Sequence, residues 1–162
     1  MTDKNRILVI GIGNDFRSDD AVGLYVAREL ENKGLDGVTI IEGINDGTSM
    51  IELWDNRSLV FVVDCVASGG NPGRIYRFDA FKEKIPESRF PSFSSHAFNI
   101  TDTIALARNI DRLPENMIIY GIEGRTIDTG DKLTDAVKKA ADDVVIRIVD
   151  EVAHYKLGGD TP

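Results

Sequence analysis

The sequence predicts an α/β protein: a three-layer α/β/α sandwich around a mostly parallel sheet of about five strands, with one edge strand antiparallel. Three observations carry that expectation. The runs 6–10, 38–41, 59–63 and 117–120 are apolar and rich in β-branched residues on consecutive positions, as strands covered on both faces are. The stretches between the first three of these runs, and the two that flank the fourth, place apolar residues three or four apart, the helical period. One further run, Arg74-Ile75-Tyr76-Arg77-Phe78, alternates polar and apolar and reads as a half-exposed edge strand.

The first strand, Arg6 to Ile10, breaks into a glycine-bracketed turn at Gly11, Gly13 and Asn14. Ser18 or Asp19 is placed to cap the helix that follows, in which Val22, Tyr25, Val26 and Leu30 recur and Gly34 supplies the stop. Val38 to Ile41 forms the second strand. Asn45-Asp46-Gly47-Thr48 is a turn leading to a short helix over Ser49 to Trp54, with Met50, Leu53 and Trp54 inward. Leu59 to Val63, the most apolar strand, ends on Asp64, and Ser68 to Gly73 is a strong turn. Phe81 to Phe93 lacks a period and carries Lys82, Lys84 and Arg89, which makes it a long solvated loop or a partner-docking lid. A helix after His96 directs Ile100, Ile104, Leu106 and Ala107 inward. The strand Met117 to Tyr120 runs into Gly121-Ile122-Glu123-Gly124, and the last helix, from Thr134, carries Val137, Ala141, Val144, Ile148 and Val152. Residues 1–156 are expected to form one domain, with 157–162 a flexible C-terminal tail.

The chain has 162 residues, 42% hydrophobic and 28% charged, and a net charge of −8. That balance suits an ordinary soluble domain and opposes nucleic acid or an anionic membrane surface as a partner. The single cysteine, Cys65, excludes an internal disulfide and suits a reducing compartment. No run approaches the ~20 apolar residues of a membrane span. A cytoplasmic monomer is expected, with no membrane insertion.

Ligands of open α/β sheets bind beyond the carboxyl ends of the strands. Those ends deliver the acids of the first turn (Asp15, Asp19, Asp20), the stretch Glu42 to Asp46, Asp64 and Glu123, with His96 at the mouth of a helix. Carboxylates with one imidazole suit a borderline divalent metal such as nickel or zinc better than magnesium. Each also has a plainer role: Asp19 and Asp20 as first-turn acids complementing a helix dipole, Asp64 as a hydrogen-bonded turn residue, His96 as a capping or surface histidine. His154 reads as a solvated helix-end residue and Cys65 as a small buried one.

Dinucleotide binding competes with a metal, because Gly11-Ile12-Gly13 follows a strand and Glu42 ends the next one. The third glycine position, however, is Phe16, too large for the close helix–strand approach of that fingerprint. Asp15, Asp19 and Asp20 outnumber Arg17 and would repel a pyrophosphate, each unit pair at ~4 Å costing on the order of 1 kcal/mol even in water.

The ordered set G-x-G-N, D-D-A-V-G, G-T-S-M-I-E-L, the acid-ended strand V-F-V-V-D-C, S-S-H and G-I-E resembles the [NiFe] hydrogenase maturation endopeptidases, over roughly residues 7–148. The resemblance implies a cytosolic enzyme that removes a C-terminal extension from a [NiFe] hydrogenase large-subunit precursor after nickel insertion. It implies that two acids and a histidine recognise nickel carried by the substrate, here Asp20, Asp64 and His96, and that no organic cofactor takes part. The family often has Glu where Asp20 stands, and its D-G-G-T turn appears as Asn45-Asp46-Gly47-Thr48, with the acid shifted by one residue. A metal-polarised carbonyl attacked by water, positioned by a carboxylate near Asp46, is the economical mechanism. The alternative from another class is a non-catalytic metal-binding or metallochaperone module with the same ligands.

Overall fold

The computed structural model describes residues 6–44, 46–85 and 99–158. Its sheet contains β1 (Ile7–Gly11), β2 (Val38–Glu42), β3 (Leu59–Val66), β4 (Ile75–Asp79) and β5 (Met117–Glu123), in the order β2-β1-β3-β5-β4. All neighbours are parallel except β4, which pairs antiparallel with β5 at the edge, as its alternating sequence predicts. The helices are α1 (Val22–Lys33), α2 (Gly47–Trp54), α3 (Ile100–Asn109) and α4 (Asp135–Lys156).

Strand alternation sorts the core into two layers. Val9, Phe61, Val63, Tyr120 and Ile122 face the layer that Val22, Val26, Leu30, Val137, Val144 and Ile148 of α1 and α4 complete. Leu8, Ile10, Val60, Val62 and Ile119 face Met50, Ile51, Trp54, Ile100 and Ile104 of α2 and α3. Helices therefore cover both faces, which is why β1, β3 and β5 are buried at nearly every position and read as continuous apolar runs. Among the described residues no helix is long and apolar enough to cross a membrane.

Several local expectations are corrected. Neither Ser18 nor Asp19 caps α1. A 3-10 turn, Ser18–Ala21, intervenes, so the N-cap positions fall to Arg17 and Ala21, neither of which makes a side-chain cap, while Ser18 and Asp19 bond elsewhere. The second helix starts at Gly47, since Asp46 caps it by accepting from Ser49 N at 2.8 Å. β3 does not stop before Asp64 but runs on to Val66, with Asp64 paired in register to Gly121. Leu106 is 49% exposed; the inward side of α3 is formed by Ile100, Thr103, Ile104 and Ala107. Gly34 ends α1 in the left-handed conformation, φ 61°, as its position suggests.

Candidate functional site

The chain leaves β1 to build β2 on one side and then crosses to build β3 on the other. The carboxyl ends of β1 and β3 are thus the point where the strand order reverses. Connections diverge there, and open α/β sheets keep a crevice at that position for ligands. The two ends are tied directly, Ile12 N donating to Val63 O at 2.9 Å.

Asp20 and Asp64 come to this junction from different elements. Asp20 sits in the 3-10 turn after β1, and Asp64 lies in the last turn-ward stretch of β3. Alternation puts Asp64 on the same face as Val62 and Val66, the face covered by α2 and α3. Its Oδ1 accepts from Cys65 N at 2.8 Å. Burial, and after it the charge of Asp20, pushes the Asp64 carboxyl well above the usual carboxylate range, while the Cys65 N–H acts the other way. As a residue Asp64 is only half-buried, so the carboxyl is desolvated yet remains at the rim of the crevice. Two acids whose charges oppose each other in one crevice form a place where a cation, or a proton, is favoured.

The turn that carries Asp20 is made possible by glycines. A Cβ on Gly11 would overlap the carbonyl oxygen of Gly23 and crowd Ala27, and one on Gly23 would meet the carbonyl oxygens of Ile12 and Val63. Gly11 and Gly23 thus supply the close strand–helix approach that the dinucleotide fingerprint would place at position 16. Phe16 lies outside that contact and is 75% exposed. A Cβ on Gly13 would likewise overlap the backbone oxygen of Asp20.

Asp19, beside Asp20, has a separate task. It is fully buried, and its carboxylate accepts from Arg125 N (2.8 Å), Thr126 N (2.9 Å), Thr134 N (2.7 Å) and the Thr134 hydroxyl. Further bonds join the same two segments: Asp19 N to Thr126 O, Ser18 N to Gly130 O, Gly130 N to Phe16 O, Ser18 Oγ to Asp128 O and Arg17 Nε to Ile127 O. Residues 16–19 and 125–134 are therefore zipped into one platform beside the crevice. This pairing was missed from the sequence; its only signal was a second acid next to Asp20.

Most of the other described candidates are held by partners of their own. Asp15 and Glu42 both bond Arg28, at 2.8 Å and 2.7 Å, and the Arg28 guanidinium holds the Asp15 carboxyl below its ordinary range. Glu123 is buried and accepts from Ser68 N (2.8 Å), the Ser68 hydroxyl and Tyr76 OH (3.1 Å), so it pins the turn after β3. Asp46 is exposed, and the backbone N–H of Ser49 keeps its carboxyl below the usual range. Cys65 is buried, and burial followed by the charge of Asp64 raises its thiol far from thiolate formation, in keeping with a packing role. His154 is exposed near the end of α4. His96 lies outside the described residues, three positions before Asn99, which caps α3. No group of three or more His, Cys, Asp or Glu poised around one metal position occurs among the described residues.

Fold and crevice define an open α/β protein with an acidic junction at its topological switch point. The family model for hydrogenase maturation proteases (HycI) matches residues 24–151, and the chain belongs to that family. The hydrogenase 2 maturation protease of Escherichia coli K12 is 26% identical over 136 residues, covering 82% of each chain. Among solved structures, the E. coli hydrogenase maturating endopeptidase HybD superposes with a TM-score of 0.77 at 22% identity, covering 96% of this chain and 95% of its own. The [NiFe] hydrogenase maturation protease HycI of Thermococcus kodakarensis gives 0.67 at 23% identity, covering 92% and 93%. These two likenesses establish the fold: five strands, mostly parallel, with one antiparallel and helices around them.

Proposed function

We propose that this chain is an endopeptidase that removes the C-terminal extension of a [NiFe] hydrogenase large-subunit precursor once nickel has been inserted. In this reading Asp20, Asp64 and His96 recognise the nickel that the precursor carries, and no organic cofactor takes part. The observation that supports it most is membership of the hydrogenase maturation protease family, in a chain that brings Asp20 and Asp64 to the carboxyl ends of β1 and β3 at the switch point. Two carboxylate oxygens and one imidazole nitrogen suit a borderline divalent ion, and three protein donors leave positions for groups of the precursor. Such a site is incomplete until the substrate brings its metal, which makes recognition conditional on nickel.

The chemistry that follows is amide hydrolysis. Water oxygen bonds to the scissile carbonyl carbon, the C–N bond breaks, and the water's protons end on the leaving amine and on a carboxylate or solvent. A cation close to the carbonyl lowers the cost of the developing negative charge. We also propose that Asp46, whose carboxylate caps α2 in the turn after β2, positions the attacking water; the Ser49 N–H holds its pKa low, so it stays ionised and is a weak base that contributes orientation. The enzyme is proposed to act in the cytoplasm as a monomer.

The test is incubation of the protein with nickel-loaded and nickel-free precursor, followed by mass spectrometry of the large subunit. Loss of a C-terminal peptide from the nickel-loaded form alone is expected. Metal binding without cleavage would replace this reading with that of a non-catalytic metal-binding or metallochaperone module.

A further inference from the structure

We infer that Phe16 is an anchor for the protein substrate: its ring takes an apolar side chain of the polypeptide that is brought to the Asp20–Asp64 crevice. The inference rests on the proteolytic reading above and deepens it by naming a residue that sets substrate affinity.

Phe16 is 75% exposed. Single exposed apolar residues are common and by themselves carry no meaning. What separates Phe16 is how its main chain is held. Its N–H donates to the side-chain oxygen of Asn14 at 2.9 Å, and its carbonyl accepts from Gly130 N at 2.9 Å. The next residue, Arg17, is bridged to Gly130 and bonds Ile127 O through Nε at 3.2 Å, and Asp19 locks the same two segments through its buried carboxylate. The backbone is thus fixed on both sides while the ring is left to solvent.

That combination lowers the cost of binding. A ring on a pre-ordered backbone has few torsions left to lose, so covering its area contributes nearly in full. The charge around it also suits contact with a polypeptide. Asp15, just before the ring in sequence, shares the Arg28 guanidinium with Glu42, and Arg17 follows the ring, so groups of both signs flank it along the chain. Position then selects the occupant. Asn14 N donates to Asp20 O at 3.4 Å and Asp20 N to Arg17 O at 3.0 Å, so the turn that carries Phe16 closes directly on Asp20 and puts the ring within reach of a polypeptide held at the crevice.

Steady-state cleavage of nickel-loaded large-subunit precursor is compared for wild type, Phe16→Ala and Phe16→Leu, with precursor binding measured in parallel by biolayer interferometry. Phe16→Ala is expected to raise KM and Kd roughly tenfold or more, with kcat within about twofold and an unchanged thermal midpoint, because a buried Phe side chain contributes about that factor. Phe16→Leu, which keeps most of the apolar area, is expected to stay within about threefold of wild type. Wild-type KM and Kd in a folded Phe16→Ala variant would overturn the anchor while cleavage by the wild type continues. Failure of the wild type to cleave refutes the proteolytic reading instead, and the binding comparison still decides the role of Phe16.

Discussion

Thr134 donates both its backbone N–H, at 2.7 Å, and its hydroxyl to the carboxylate of Asp19, across 115 residues of sequence. The hydroxyl is thereby diverted from capping α4, whose first residue follows it, and the helix has no side-chain cap. The segment 125–134 is held by a neighbour of Asp20 at the expense of an ordinary helix start.

Asp19→Ala leaves three backbone N–H groups, from Arg125, Thr126 and Thr134, without their acceptor. A loss of about 3 kcal/mol is expected, from the cost of partly buried unsatisfied donors. Urea unfolding checks it, and hydrogen exchange at 125, 126 and 134 is expected to accelerate before the core does.

Gly23→Ala is expected to destabilise more than helix propensity alone allows. Alanine ordinarily gains about 1 kcal/mol over glycine inside a helix, but here its methyl would overlap the backbone oxygens of Ile12 and Val63. Gly34→Asn, at a left-handed C-cap with open space around it, is the contrasting variant and should shift the thermal midpoint little.

Asp64→Asn is expected to be more stable than wild type at pH 8 and to lose that advantage at acid pH. The folded pKa of Asp64 is raised, by burial first and Asp20 second. Its protonated form therefore favours folding below the unfolded pKa of ~3.9, and that contribution disappears as pH rises through the folded value. Asparagine never ionises, so thermal midpoints of the two proteins should converge toward pH 4 and separate toward pH 8. Parallel midpoints across that range would show that the Asp64 carboxyl is not held above its ordinary range.

The same proton bears on activity. A carboxyl must be ionised to meet a cation, so precursor processing is expected to fall on the acid side, where the raised Asp64 carboxyl holds its proton. Rates measured from pH 5 to 8 at saturating precursor test this.

Sequence patterning made most of the fold legible for a physical reason: helices on both faces bury β1, β3 and β5, so their runs are continuously apolar, and the one strand with solvent beside it, β4, alternates. The extension of β3 past Asp64 was not legible, because a carboxylate at an apolar strand's end looks like a stop, whereas here Asp64 remains in register opposite Gly121. Leu106 fits the helical period but falls on the solvent side of α3, with Thr103 inward in its place. The division of labour between Asp19 and Asp20 was hidden for a different reason. Adjacent acids are alike in sequence, and what tells them apart is a set of backbone donors more than 100 residues away. The Gly11–Gly23 approach was hidden likewise, since the 3-10 turn displaces it from the spacing of the dinucleotide fingerprint.

Asp20, Asp64 and His96 are proposed together to recognise nickel carried by the substrate. The direct measurement is C-terminal processing of nickel-loaded and nickel-free precursor by wild type, Asp20→Asn, Asp64→Asn and His96→Ala, each first shown to be folded by circular dichroism. Cleavage of the nickel-loaded form alone by wild type, with at least a roughly hundredfold loss in each variant, is the predicted result. Wild-type rates in the folded variants, or equal cleavage of nickel-free precursor, would contradict it.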